Sequence, residues 1–256
     1  MPILLDDFLA GFTLFAAPFL RLSGMMIVAP IFSAPGFNLR ARVLLSVLVA
    51  ALVAPSMTIP SSFDLMSTLG LVMSLQEIAV GLMIGFTLQL AFGAIVFGAQ
   101  AMSMTMGLGF AMAVDPQNGV QVPVVAQLYV ILGTLLFLSV DGHLALIDAA
   151  VQSYSLIPIG SLSISVSSLT ALVSLGSIVF AGGILLALPV MTALLLINLA
   201  FGIITRTAPQ LNIFAVGFPV TILAGLFIMF LVMPGFLVAL TNIFQFASEQ
   251  TLTIFR

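Results

Sequence analysis

The chain has 256 residues, 62% of them hydrophobic and 5% charged, with a formal net charge of −3. Soluble domains are about half apolar and about a quarter charged, so a soluble fold of this length could not hide its apolar surface, and burial against lipid or other apolar subunits remains. The five basic residues are all Arg and form no basic patch, which argues against nucleic-acid binding; the lack of Cys removes disulfides and thiolate chemistry, and a single His, His143, builds no His cluster for a metal.

The chain begins Met1-Pro2-Ile3-Leu4-Leu5-Asp6-Asp7. A secretory signal opens with positive charge, so the first apolar run is expected to be retained. A spanning helix takes about 20 mainly apolar residues. Six regions qualify: 8–32, 43–59, 65 to about 104, 124–140, about 169–204, and 213–246. The third is long enough to bend or to run past the bilayer. Residues 145–157 form a shorter apolar stretch, expected to be interfacial. Pro35-Gly36-Phe37-Asn38, Pro60-Ser61-Ser62, Asp115-Pro116-Gln117-Asn118-Gly119 and Pro158-Ile159-Gly160 carry turn chemistry and separate these regions. The pattern predicts an all-α fold of apolar helical hairpins in one domain, 1–256, with no soluble domain. Arg40 and Arg42 follow the first region and Arg206 separates the last two, so the positive-inside tendency places the N-terminus outside and those turns in the cytoplasm.

Polar residues stand out against this background. Gln76, Glu77, Gln89 and Gln100 interrupt the third region, beside the small-residue pairs Gly81/Gly85 and Ala94/Gly98. Such spacing lets helices approach closely. It fits ordinary packing, or a helix packed inside a multisubunit wall. The polar residues favour the wall, because a charge facing lipid costs about 3 kcal/mol on insertion scales. Arg21 lies inside the first region and cannot lose its charge. It needs a carboxylate or carbonyl, with Glu77 and Asp141 as candidates, or else it snorkels to a surface. Asp141-Gly142-His143 with Asp148 hints at acid–base chemistry, but no nucleophile elbow or Cys accompanies it, so the chain is expected not to be an enzyme. Arg206 with Pro209, Gln210 and Asn212 reads as a structural helix-to-helix turn.

Met102, Met104 and Met106 lead into Phe110 and Met112. Methionine fills irregular gaps and seals around changing shapes. Gly107, Gly109 and the Asp115–Gly119 cluster argue against one rigid helix. Irregular backbone at membrane depth is tolerated only when buried in protein or facing water. Residues 110–123 are therefore the best candidate for a passage-lining loop, with a static connector as the plainer reading.

Taken together, several motifs resemble one family. Arg21-Leu22-Ser23-Gly24, then Ala29-Pro30-Ile31-Phe32 with Pro35 and Arg42, look like its opening. Gly109-Phe110-Ala111 and Val114-Asp115-Pro116 resemble its central loop. Leu136-Phe137-Leu138 with Asp141-Gly142-His143 follows, then Leu186-Ala187-Leu188-Pro189-Val190. Asn198-Leu199-Ala200-Phe201-Gly202 runs into Arg206-Thr207-Ala208-Pro209-Gln210-Leu211-Asn212-Ile213-Phe214, and Gly217-Phe218-Pro219 closes the set. Their number and order are similar to the FliR/SctT family, the R-type subunits of type III export gates, with the flagellar version the better match at the central loop. Leu144 departs from the pattern, where many relatives carry a second His.

The resemblance implies a non-enzymatic channel subunit in a multisubunit helical assembly, without cofactor or metal. It passes unfolded flagellar proteins across the bacterial inner membrane at the flagellar basal body. The implied partners are the P-type and Q-type subunits FliP and FliQ, FlhB and FlhA, membrane lipid, and exported chains in transit. It also implies a pore-plug loop, here Phe110, Ala111, Met112, Ala113, Val114, Asp115, Pro116, Gln117, Asn118, Gly119, Val120, Gln121 and Val122. Arg21, Glu77, Asp141, Arg206, Gln210 and Asn212 are the candidate buried polar or interface positions. Two other readings stay open: a virulence-system gate subunit, and a proton-coupled small-solute transporter using Glu77, Asp115 or Asp141.

Overall fold

The computed structural model describes residues 2–34, 36–57, 67–109, 124–161, 164–208 and 213–255. Among the described residues there is no strand. In chain order the helices are α1 (Pro2–Val28), α2 (Pro30–Ser33), α3 (Leu39–Val53) with a 3-10 turn (Ala54–Ser56), α4 (Thr68–Thr105), α5 (Val124–Ser139), α6 (Gly142–Leu156), α7 (Val166–Ser174), α8 (Ser177–Thr207) and α9 (Ile213–Thr253). Five stretches are long and apolar enough to cross a membrane, or six if the bent α5–α6 pair is one span. The fold is the expected all-α one.

Boundaries shift for identifiable reasons. Pro30 has no amide to donate, and α1 stops at Val28. The Asn38 side chain accepts the Arg40 amide at 3.1 Å and starts α3 four residues before the apolar run. The third region is one proline-free helix of 38 residues, about 57 Å long at 1.5 Å per residue and well beyond the roughly 30 Å hydrocarbon core. The expected fifth region divides between α7 and α8 around Leu175 and Gly176. The sixth continues to Thr253, past polar Gln245, Glu249 and Gln250, which favour helix even as they end the apolar run. Residues 145–157 belong to a longer helix: α6 begins at Gly142, directly after a left-handed Asp141 with φ 55°.

The chain forms two compact units. The first comprises residues 1–90, 141–176 and 245–256, the second 91–140 and 177–244. In the first, α1 lies against α4 backbone to backbone. A Cβ at Gly85 would stand 2.5 Å from the Met25 carbonyl oxygen, one at Gly24 would stand 2.6 Å from that of Ile78, and one at Gly81 would collide with that of Arg21. In the second unit the Ala94/Gly98 face of α4 meets Gly182 and Gly183 of α8. There a Cβ at Gly98 would sit 2.6 Å from the Gly183 oxygen, and one at Gly183 2.8 Å from the Ala94 oxygen. Both small-residue pairs of α4 are thus taken up by this chain's own helices. Phe92, Phe137 and Phe244 pack as a cluster with ring centroids 5.1–6.2 Å apart, and the Tyr129 ring meets Phe236 edge-on at 4.4 Å.

Gly98→Ala should therefore overpack the α4–α8 contact and cost about 1–3 kcal/mol. Gly202→Ala, with open space around it in the chain, should leave stability unchanged or slightly raised. The yield of folded chain from membranes and its melting temperature in mild detergent measure both. Equal behaviour of the two variants would show that the close approach does not matter.

Candidate functional site

Arg21 lies about two turns before the end of α1 and is fully buried at 0% exposure; Glu77, in α4, is 1% exposed. The pair is a fork. Arg21 Nε donates to Glu77 Oε2 at 2.8 Å and Nη2 to Oε1 at 3.1 Å. Nη2 also donates to the Ile157 carbonyl at 2.9 Å, and Nη1 to Ser153 Oγ at 2.8 Å. The Ser153 hydroxyl in turn donates a hydrogen bond to the Ala150 carbonyl at 2.6 Å. The Tyr154 ring closes the remaining side, its centroid 3.8 Å from Arg21 Cζ. Four of the five guanidinium hydrogens have acceptors, and the cation lies against an aromatic face.

This cluster ties α1, α4 and α6 at one point. Glu77 precedes Gly81 by one turn, so the ion pair lies beside the place where α1 and α4 backbones touch. Next along α4, Gln76 donates to the Ser161 carbonyl, which holds the segment after α6. Further on, the hydroxyls of Thr87 and Thr251 share a hydrogen bond of 2.9 Å, joining α4 to the end of α9. Ala17, Met73, Tyr154 and Ile159 form the apolar floor, with Met57 against it. Both Glu77 oxygens are committed to a cation that cannot deprotonate. The arrangement can fix helix register; it offers no free acid or base.

Of the two carboxylates proposed for Arg21, Glu77 takes the role and Asp141 does not. Asp141 is exposed at the α5–α6 bend. Asp148 accepts Gln152 Nε2 at 2.6 Å, and the buried Nδ1 of His143 has no partner. Among the described residues no group of three or more His, Cys, Asp or Glu could hold a metal. Arg206 is exposed in the last turn of α8, where a cation favours the helix-end carbonyls. Gln210 and Asn212, and the whole of 110–122, lie outside the described residues. The sequence reading missed Ser153, Tyr154 and the Ile157 carbonyl as partners of Arg21. Their signal was a Ser-Tyr pair inside the short apolar stretch 145–157, close to its end.

These features define a class: a polytopic protein of membrane-type helices whose buried polar groups lock helices together. Residues 12–247 match the family of bacterial export proteins, family 1, and the chain belongs to that family. It is similar to the flagellar biosynthetic protein FliR of Escherichia coli (strain K12), 36% identical over 229 residues that cover 90% of this chain and 87% of that one. The same protein of Pectobacterium carotovorum subsp. carotovorum is 39% identical over 217 residues, covering 85% and 83%. That of Bacillus subtilis (strain 168) is 26% identical over 245 residues, covering 93% of each. The resemblance read from the motifs holds across the chain.

Removing one partner of a buried ion pair leaves an uncompensated charge and costs about 3–5 kcal/mol, whereas replacing both with apolar groups of similar volume is often neutral. Arg21→Met or Glu77→Leu alone should therefore deplete the folded chain from membranes, and the double variant should recover most of it. Quantitative blotting and melting in detergent give the three values. A double variant no better than the worse single would show that the two side chains do not act as a pair.

Proposed function

We propose that this chain is a core channel subunit of the flagellar type III export gate, acting along its whole length as one export-gate domain in the bacterial inner membrane at the flagellar basal body. The match to the export family over residues 12–247, with FliR relatives on both sides of 30% identity, carries this reading. The helices support it. In the spanning stretch of α3, and that of α9, only 17% is buried within the chain, and in that of α7–α8 22%. Apolar faces left open to this degree call for lipid and neighbouring subunits, for which FliP, FliQ, FlhB and FlhA are the candidates. Unfolded flagellar proteins are the cargo. Two of the three carboxylates named for a proton-coupled transporter are poorly placed for that role, because Glu77 is fully engaged by Arg21 and Asp141 is exposed. The chain is a channel subunit rather than an enzyme.

In this reading residues 110–122 help to close the passage. Phe110, Met112 and Val114 supply bulky apolar surface of the kind that excludes water from a narrow opening. Asp115-Pro116 and Asn118-Gly119 supply breaks in backbone direction.

Two experiments follow. Expressed alone, the chain should aggregate or be proteolysed in mild detergent, and co-expression with the P-type subunit should yield a monodisperse complex. A chain that is equally monodisperse alone would remove the need for partners. In cells, an in-frame deletion within residues 111–121 should raise ion leakage and impair growth in high salt while the gate still assembles. Wild-type leakage from a fully assembled deletion gate would refute the plug.

A further inference from the structure

We propose that the last turns of α8 are the seat for one apolar helix of a different chain of the export gate, packed against Gly202, hydrogen-bonded by Asn198 and paired through a carboxylate with Arg206. This rests on the export-gate reading given above. All three residues lie in the second unit.

The two halves of α8 differ. The first is held by this chain: Gly182, Gly183, Leu186, Ala187, Val190 and Leu194 are buried. From Leu195 to Thr207 no residue is buried, a stretch of about 20 Å at 1.5 Å per residue. Ile197, Phe201 and Thr205 continue the inward line there and are half-buried. Asn198, Gly202 and Arg206 follow at i, i+4 and i+8, on one exposed face beside that line.

Large apolar side chains cover most of the outer surface and suit lipid or protein alike. This face does not. Among the described residues the side chains of Asn198 and Arg206 have no hydrogen bond or ion pair. Acyl chains offer neither. Asn198 stands more than two turns before Thr207, too far for so short a side chain to reach the helix end. Amides in an apolar surrounding hydrogen-bond across helices. Gly202 weakens the helix that contains it, and a Cβ there would meet nothing within 4 Å in this chain. Elsewhere in the second unit an interior helical glycine, Gly98, marks the place where another backbone lies, that of Gly183. The three features specify the occupant. The open glycine takes a backbone at close range, and so a helix with a small residue there. The amide takes a polar side chain or a carbonyl. The guanidinium takes a carboxylate two turns further along. A second copy of this chain does not qualify, because residues 195–207 contain no Asp or Glu and a self-complementary contact would leave both guanidiniums without a carboxylate.

The test uses the full-length chain co-expressed with the export-gate subunits. A photoreactive benzophenone side chain replaces Leu195, which is exposed on the same face about one turn before Asn198, and the adduct is mapped by mass spectrometry. It should fall in an apolar helix of a different gate subunit, with an Asp or Glu within about three turns. An adduct between two copies of this chain, an adduct with lipid alone, or a helix without that carboxylate would overturn the proposal. In parallel, Asn198→Leu should lower the amount of that subunit co-purifying per chain by about 3–20-fold, the range for one interhelical hydrogen bond in a membrane, and Gly202→Leu by at least as much. Leu196→Phe, about a third of a turn round the helix from Gly202, should stay at wild type; an equal loss there would overturn the assignment to this face. If Gly202→Leu lowers the amount of chain, the Leu195 adduct and Asn198→Leu decide. Wild-type co-purification in both Asn198→Leu and Gly202→Leu would overturn the seat and leave the export-gate reading standing. A wild-type chain that co-purifies with no gate subunit would overturn that reading, and the seat with it.

Discussion

A guanidinium keeps its charge in any protein environment, so a chain that buries Arg21 completely must build a site around it. The consequences extend well beyond one contact. Glu77 has to be on the neighbouring helix, at the level where the fork can close in the plane of the guanidinium. The Gly24, Gly81 and Gly85 contacts have to lie nearby, since bulkier residues would hold α1 and α4 too far apart for that fork. The end of α6 has to deliver a hydroxyl and a carbonyl from Ser153 and Ile157. One ionised group thereby fixes the relative register of three helices. A buried pair of this kind adds little net stability over an apolar replacement. What it supplies is selectivity, because any slipped register of α1 on α4 strands a charge.

The second unit reaches close packing by different means. Its two facing stretches, Ala94/Gly98 and Gly182/Gly183, carry almost no side chain, so backbone lies near backbone over about one turn. Around this seam the Phe92, Phe137 and Phe244 rings interlock at angles rather than in parallel stacks. Such contacts are summed dispersion. They fall off steeply with a small change in separation, so the seam has one good spacing. Polar insurance is sparse here, and the Thr221–Met106 hydrogen bond stands out for that reason.

Helix number and class were legible because length and hydropathy alone decide whether a segment can span a membrane. Arg21 was recognisable as a group needing a partner, and Glu77 as one of two groups that could meet the need. The choice between Glu77 and Asp141 was not legible, because it depends on which carboxylate the packing of α1, α4 and α6 buries, and Asp141 is exposed. The contributions of Ser153 and the Ile157 carbonyl were hidden for a similar reason: a carbonyl is present in every residue, and its availability follows only from where a helix ends. Helix starts were misjudged where a charged residue broke the apolar run, as at Arg40 and Arg42, although Asn38 carried the cap. The small-residue spacings of α4 marked close approach correctly, but the identity of each partner helix was a matter of tertiary structure.

The distribution of side-chain size explains why period-based reading has so little purchase here. In α3 the inward positions are Ser46, Ala50 and, just past its end, Ala54, while Leu44, Leu48 and Leu52 point outward. In α8 the buried face runs from Gly182 and Gly183 through Leu186, Ala187, Val190 and Leu194, while Phe180, Ile184, Leu185 and Leu188 are exposed. Along α3 and at the start of α8 this inverts the arrangement of a soluble helix, whose large apolar residues face the core. It is what an apolar surrounding requires. When the exterior is as apolar as a leucine side chain, moving a leucine inward gains nothing by dehydration, and helices associate through close packing and hydrogen bonds instead. Small residues then belong inside, where they shorten the distance between backbones, and large ones belong outside. Beside its packed rings and aliphatic side chains, the chain's interior holds contacts that lipid cannot replace, namely an ion pair, a few hydroxyls and backbone against backbone. Its exterior presents surface that either lipid or another subunit can cover at similar cost.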